Sequence, residues 1–209
     1  MFVARHADPY YSPVSKVTKA DEVDSTAFER MTKTIPVLIY TDGACLGNPG
    51  PGGYAAVLLS GTHRQEISGG FRRTTNNRME IMAAIVGLES LKRRCAVTLY
   101  TDSKYVQQSI DLGWAKRWRA KAWKYKDGQR PNWDLWDRLL SVCAQHEVKF
   151  LWVRGHVGHL ENERCDVLAV AAAKQTALPP DTLFEKPASM TASPELPSST
   201  DLKQPGRPA

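Results

Sequence analysis

Cysteine is scarce in this sequence. The four in 209 residues are Cys45, Cys95, Cys143 and Cys165, and no two form a Cys-x-x-Cys pair. That density and spacing exclude a disulfide framework and a paired-cysteine zinc site, so reduced thiols are expected. Long apolar runs are missing as well; none approaches the roughly 20 residues that cross a bilayer. The opening MFVARHADPYYSP lacks the uninterrupted apolar stretch of a secretory signal. A cytoplasmic protein without membrane contact is expected. Acidic side chains are the minority, 22 against 28 Lys and Arg, for a net charge of +6. An excess of that sign favours a polyanionic partner over an acidic-surfaced one.

Periodicity is the next thing in short supply. Residues 1–33 sustain neither a helical nor a strand period, and are expected to be a disordered extension. Translation starting at Met31 is the alternative reading of them. From Leu178 to Ala209, seven of 32 residues are Pro and seven are Ser or Thr. Such a segment buries too little surface to offset its ordering entropy. Residues 177–209 are therefore expected to be a disordered tail, with a Pro-rich partner motif as the alternative, which leaves a domain at 34–176.

Within that domain the periods alternate. Val37–Thr41 and Ala96–Thr101 are short apolar runs that read as buried strands, each ending at an Asp. Gly53–Leu59 and Gln65–Phe71 flank Ser60-Gly61 and read as antiparallel neighbours. Helices are expected over Asn77–Leu91, Ser103–Ile110, Asp134–Gln145 and Asn162–Lys174, with a strand at Val148–Val153. The order β-β-β-α-β-α, a basic insert, then α-β-α describes an α/β protein with a mixed sheet flanked by helices.

The two apolar strands end in the same letters, Tyr40-Thr41-Asp42 and Tyr100-Thr101-Asp102. Ligands in open α/β sheets gather beyond the carboxyl ends of the strands. If these two strands are parallel neighbours, Asp42 and Asp102 project together there; singly, each is also an ordinary turn or cap residue. Glu80 lies in the first turn of its helix, off the stripe of Met82, Ile85 and Leu88. The small Ala84 and Gly87, one turn on, let that side approach the sheet. A first-turn Glu also suits the helix dipole without any further role, and Asp166 in the last helix has the same ambiguity. Four converging carboxylates repel unless cations lie between them, and such oxygen-rich clusters suit Mg²⁺ or Mn²⁺.

These residues sit inside longer matches. Tyr40–Gly53 resembles the opening motif of the bacterial type 1 ribonuclease H family. Arg73–Glu80 resembles its second motif, Thr101-Asp102-Ser103 its third, and Gly155-His156 followed by Glu161–Asp166 its last. The resemblance runs from about Ile35 to Lys174. It implies a ribonuclease H-like fold, a five-stranded mixed sheet with a basic helical protrusion. It further implies an endonuclease that cuts the RNA strand of RNA–DNA hybrids, leaving 5′-phosphate and 3′-hydroxyl ends; a monomer is expected. By this resemblance Asp42, Glu80, Asp102 and Asp166 hold two Mg²⁺ ions, with Mn²⁺ as a substitute. His156 corresponds to a loop histidine that assists proton transfer or product release. Cys45, Asn48, Asn76 and Asn77 are implied near the nucleic-acid backbone, and Arg73 and Thr75 at a DNA phosphate. Lys104 stands where relatives commonly carry Gln, which exchanges an amide contact for a mobile charge.

Trp114 to Arg130 holds seven basic residues and one acid, interleaved with aromatics. Charge for phosphates beside aromatic faces suits nucleic-acid binding. Trp114, Lys116, Trp118, Lys121, Trp123, Lys124 and Lys126 are the candidates; the plainer reading is a solvated basic helix with its Trp residues on the core. Two other functions compete. A catalytically dead hybrid-binding module has little reason to keep all four carboxylates. A transposase or integrase domain of the same wider fold is disfavoured by the Gly-rich opening and the basic insert.

Overall fold

Strand pairing positions everything else in the domain. The computed structural model describes residues 34–155 and 158–185. The sequence-expected extension (residues 1–33), His156 and the tail from 186 onward lie outside those residues. The first strand, β1 (Ile35–Cys45), pairs antiparallel with β2 (Gly50–Ser60), which pairs antiparallel with β3 (His63–Thr74). The Gly-rich stretch is thus largely strand: Gly50 to Gly53 belong to β2, and only Leu46 to Pro49 form the connection. Next come α1 (Asn76–Glu89), β4 (Cys95–Thr101), α2 (Lys104–Asp111) and α3 (Trp114–Ala120). A two-residue-per-strand hairpin, β5 (Lys124–Tyr125) with β6 (Gly128–Gln129), completes the basic insert. The chain then forms α4 (Trp133–Cys143), β7 (Glu147–Trp152), α5 (Leu160–Ala173) and a short α6 (Thr182–Glu185). The main sheet has the order β3-β2-β1-β4-β7, with β1–β4 and β4–β7 parallel. It is the expected five-stranded mixed sheet with helices on its faces. No helix among the described residues is long and apolar enough to cross a membrane.

Side-chain alternation along β1 divides the core. Val37 and Ile39 join Leu58, Val97, Leu99 and Phe150 under α1 and α4 on one face. On the other face α5 lays Cys165 and Ala169 against Ala55 and Val57. The single apolar stripe expected on α1 understates its burial. Ten of its residues from Arg78 to Leu88 are buried, polar Arg78 and Glu80 among them. A helix covered all round belongs at the centre of a fold, and α1 lies between the sheet and α4. The small side predicted from Ala84 and Gly87 is real: a Cβ at Gly87 would stand 2.9 Å from the Ile39 side chain.

The expected domain end at residue 176 is too early. The backbone N–H of Arg72 donates to the Pro179 carbonyl at 2.9 Å. Thr74 Oγ1 donates to Asp181 Oδ2 at 2.8 Å. The buried Arg78 guanidinium donates to both oxygens of Asp181 at 2.6 and 2.8 Å, and to both oxygens of Asp134 at 2.9 and 2.7 Å. Phe184 packs 5.7 Å from the guanidinium carbons of Arg73 and Arg78. Composition misjudged this strap because one buried charge pair, rather than an apolar period, ties it down.

Removing one member of a buried ion-paired network leaves the others uncompensated, at a cost of about 3–5 kcal/mol. Arg78→Ala is therefore expected to destabilise the domain by about that amount in urea unfolding. A chain ending at residue 176 should lose stability in the same direction. An unchanged unfolding midpoint in the shortened chain would show that the strap contributes nothing.

Candidate active site and nucleic-acid interface

The parallel register of β1 and β4 aligns Tyr40 with Tyr100 and Thr41 with Thr101. The two tyrosine rings stack at 4.7 Å and 13°, and Thr41 Oγ1 donates across to the Tyr100 carbonyl at 3.2 Å. One step beyond the matched pairs, Asp42 and Asp102 stand side by side at the sheet rim. Glu80 reaches the same place from the first turns of α1. Oxygens of these three carboxylates all lie within 4.8 Å of one another.

Backbone approach permits this. A Cβ at Gly43 would lie 2.3 Å from the Glu80 nitrogen and 2.5 Å from the Met79 carbonyl carbon. Only glycine after Asp42 lets α1 sit this close to β1. The Gly43 N–H donates to Asp42 Oδ1 at 2.7 Å, Asn76 Nδ2 to Glu80 Oε1 at 3.4 Å, and Asn162 Nδ2 to Asp102 Oδ2 at 3.5 Å. Asp166, on α5, lies outside the three-carboxylate group, yet its charge is close enough to act on Asp42.

Burial and mutual repulsion dominate the electrostatics. Asp42 and Glu80 are each only 6% exposed. Burial first, then the charge of Asp102, pushes the Asp42 carboxyl up to about 8, against the weaker pull of the Gly43 N–H. Burial, followed by Asp42 and Asp102, holds Glu80 well above the usual carboxylate range. Glu80 Oε2 is buried with no hydrogen-bond partner. An orphaned oxygen inside a compressed carboxylate cluster fits a hard divalent cation, which takes oxygen ligands and relieves the repulsion.

The other sequence candidates divide into groups. Asn48 Oδ1 accepts from the Asn76 backbone N–H at 3.3 Å, tying the β1–β2 connection to the start of α1. Thr75 is the N-cap of α1 and makes no side-chain cap bond. Arg73 and Asn77 are exposed beside it. These residues collect around one helix N-terminus, a favourable place for a phosphate. Cys45 points its thiol inward, donating to the carbonyls of Gly50 at 3.6 Å and Thr74 at 3.5 Å. Lys104 is exposed at the start of α2.

In the basic insert the tryptophans do not share one role. Trp123, expected among the nucleic-acid contacts, is a core residue, 7% exposed. The chain turns it inward through two left-handed residues, Ala122 at φ 50° and Trp123 at φ 60°. That strain, about 1–2 kcal/mol per residue, is offset by burial of the indole. Trp118 packs edge-on against Trp136 at 5.8 Å and tilted against Trp114 at 6.4 Å. The Arg130 guanidinium lies 4.4 Å from the Trp118 ring centre and 4.3 Å from that of Tyr125. Trp114, Arg117, Trp118, Lys121, Lys124 and Arg130 line an open recess of about 360 Å³. Lys116 and Lys126 are exposed on the same insert.

Sequence reasoning missed Asn162 and Trp152 beside Asp102. Asn162 sits between two acids in a matched motif and was readable only as part of it. Trp152 closes an ordinary strand, and nothing local marks it.

Comparison with known proteins identifies the relatives of this chain. The family model described as RNase H matches residues 34–174. A ribonuclease H of Rippkaea orientalis is 63% identical over 150 residues, covering 71% of this chain and 92% of the relative. A ribonuclease H of Desulforamulus reducens is 63% identical over 146 residues, covering 69% and 92%. Among solved structures, LC9-RNase H1, a type 1 RNase H with the type 2 active-site motif, aligns with a TM-score of 0.62. It is 32% identical, and the alignment covers 68% of this chain and 73% of that one. With the match running from β1 through α5 at this identity, the chain belongs to the type 1 ribonuclease H family and is a ribonuclease H.

Proposed function

We propose that this enzyme is an endonuclease that hydrolyses the RNA strand of RNA–DNA hybrids, leaving 5′-phosphate and 3′-hydroxyl ends. The observation that carries the reading is the cluster of Asp42, Glu80 and Asp102 at the sheet rim, in a chain that also carries a basic insert. Asp42, Glu80, Asp102 and Asp166 would hold two Mg²⁺ ions, or Mn²⁺, whose charge favours water ionisation and stabilises the leaving oxygen. Asp42 and Glu80 are buried, so a cation bound between them would replace the solvation they lack and favour their charged form. Asn162 and the Gly43 N–H orient two of the carboxylates.

Binding divides between two regions. Asn48, Arg73, Thr75, Asn76 and Asn77 take the backbone of the hybrid at the start of α1, with Cys45 shaping the strand beneath them. Trp114, Lys116, Trp118, Lys121, Lys124 and Lys126 take the DNA strand on the insert. Water attacks phosphorus in line, the P–O3′ bond breaks, and the 3′-oxygen takes a proton. His156 is the proposed carrier of that proton. The domain acts as a monomer in the cytoplasm.

A gel assay tests the reaction, with 5′-labelled RNA offered single-stranded, in an RNA duplex, or annealed to DNA, each with Mg²⁺ or EDTA. Cleavage of the hybrid alone, and only with metal, is expected. Asp42→Asn should abolish the cut while retaining hybrid binding, and normal turnover in that variant would remove Asp42 from the site. Neutralising Lys121, Lys124 and Lys126 together should lower the slope of log affinity against log salt by roughly 2–3. An unchanged slope would separate the insert from the phosphates.

Burial of the cluster, with the repulsion inside it, also makes the metal-free protein pH-sensitive. Below about pH 4 the Asp42 carboxyl is protonated whether folded or not, since its ordinary value is 3.8. As pH rises toward 8 the unfolded chain ionises freely and the folded one does not, so stability falls across that window. Thermal unfolding in EDTA should show this decline, and Asp42→Asn should flatten it and raise Tm at pH 8. A variant with the parent's slope would show that Asp42 is not the strained group.

A further inference from the structure

Trp152 has no part in the chemistry described so far, yet it touches Asp102, which does, and Lys104, a nucleic-acid-binding candidate of the sequence. Its indole N–H donates to the Asp102 backbone carbonyl at 2.9 Å. The residue is nevertheless 42% exposed, a large aromatic surface left open beside a carboxylate cluster. The ammonium of Lys104 lies over its ring, 5.0 Å from the centroid. Lys104 is itself out of place by local rules. It is the first residue of α2, where the free N–H groups of a helix favour an anion and disfavour a cation. Breaches of local preference that persist beside a site point to a use for the residue.

We propose that Trp152 is a positioning residue for Lys104: the ring holds the ammonium beside Asp102, where it receives a phosphate of the bound hybrid next to the cleavage site. A free lysine has four rotatable bonds to order before it can make such a contact. Stacking on a ring already fixed by its bond to Asp102 removes much of that cost in advance. The exposed indole thereby couples a metal-binding element to a phosphate contact. This inference rests on the proposed hybrid-binding reading and adds to it a contact and the residue that arranges it.

The test is the salt dependence of binding to a short fluorescein-labelled RNA–DNA hybrid, followed by anisotropy over a range of KCl with EDTA present. Lys104→Gln should reduce the slope of log affinity against log salt by about 0.7–0.9, one phosphate contact. Trp152→Leu removes no charge but should lose most of the same slope, and the double variant should lose no more than Lys104→Gln alone. Lys104→Arg and Trp152→Phe, which keep a stacked cation and a ring, should retain the slope. In cleavage the loss should appear in KM. Trp152→Met replaces Trp152→Leu if the latter does not fold. Full parental slope in Lys104→Gln or Trp152→Leu, or losses that add in the double variant, would overturn the proposal. If Lys104 served only as a counter-charge to Asp102, its removal would leave the slope intact, which is one of those overturning results. Absence of hybrid binding by the parent protein would instead overturn the functional reading on which this one stands.

Discussion

Two parallel strands in matched register bring the first two carboxylates of the site together, and the other groups are assembled around that pair. Because Tyr40 pairs with Tyr100 and Thr41 with Thr101, the next residue on each strand leaves the sheet at the same rim. Asp42 and Asp102 therefore meet whatever their own preferences, which electrostatically are to separate. The pairing is held by the whole ladder, the stacked tyrosines and the apolar residues on both faces. Two like charges cannot pull it apart, so burial first and then their mutual repulsion raise the proton affinity of Asp42 in the folded state.

The third carboxylate extends the same logic. Glu80 is brought in by a helix packed so closely that a side chain at Gly43 would collide with its backbone. Burial of α1 on nearly all sides fixes that approach, and the Arg78 network fixes it from the opposite side. Arg78 ties the helix to Asp134 at the start of α4 and to Asp181 in the strap. Stability held in these contacts offsets the cost of a site that is unfavourable when it holds no cation. A domain of this size has only a modest stability margin, and the buried Arg78 is hydrogen-bonded to both oxygens of Asp134 and of Asp181.

The basic insert shows how one composition serves two purposes. Its aromatic residues belong partly to the core, Trp123 wholly and Trp118 through Trp136, while its lysines face solvent. Interior packing of the tryptophans gives the exposed Lys and Arg residues a firm base. The Arg130 guanidinium between Trp118 and Tyr125 joins the two functions in one side chain.

Much of this was legible in the sequence, because much of it is carried by local pattern. Periodicity identified the principal strands and the α1, α2, α4 and α5 helices, and the repeated Tyr-Thr-Asp identified the paired carboxylates. Composition marked the basic insert, and small residues on α1 marked its close side. Tertiary structure alone decided the rest, because each remaining feature depends on a partner far away in the chain. Asp181 is an unremarkable acid in a Pro-rich segment until Arg78, 103 residues earlier, meets it in the interior. Trp123 lies in the same basic segment as the half-buried Trp114 and Trp118, and its full burial goes with a left-handed turn that no local pattern records. Trp152 acquires its place when β7 pairs with β4 and sets it beside Asp102. Sequence by itself determined which residues favour which element and which chemistry the set can perform; the folded chain determined which of them meet, since contact and burial follow from long-range packing that no local period records.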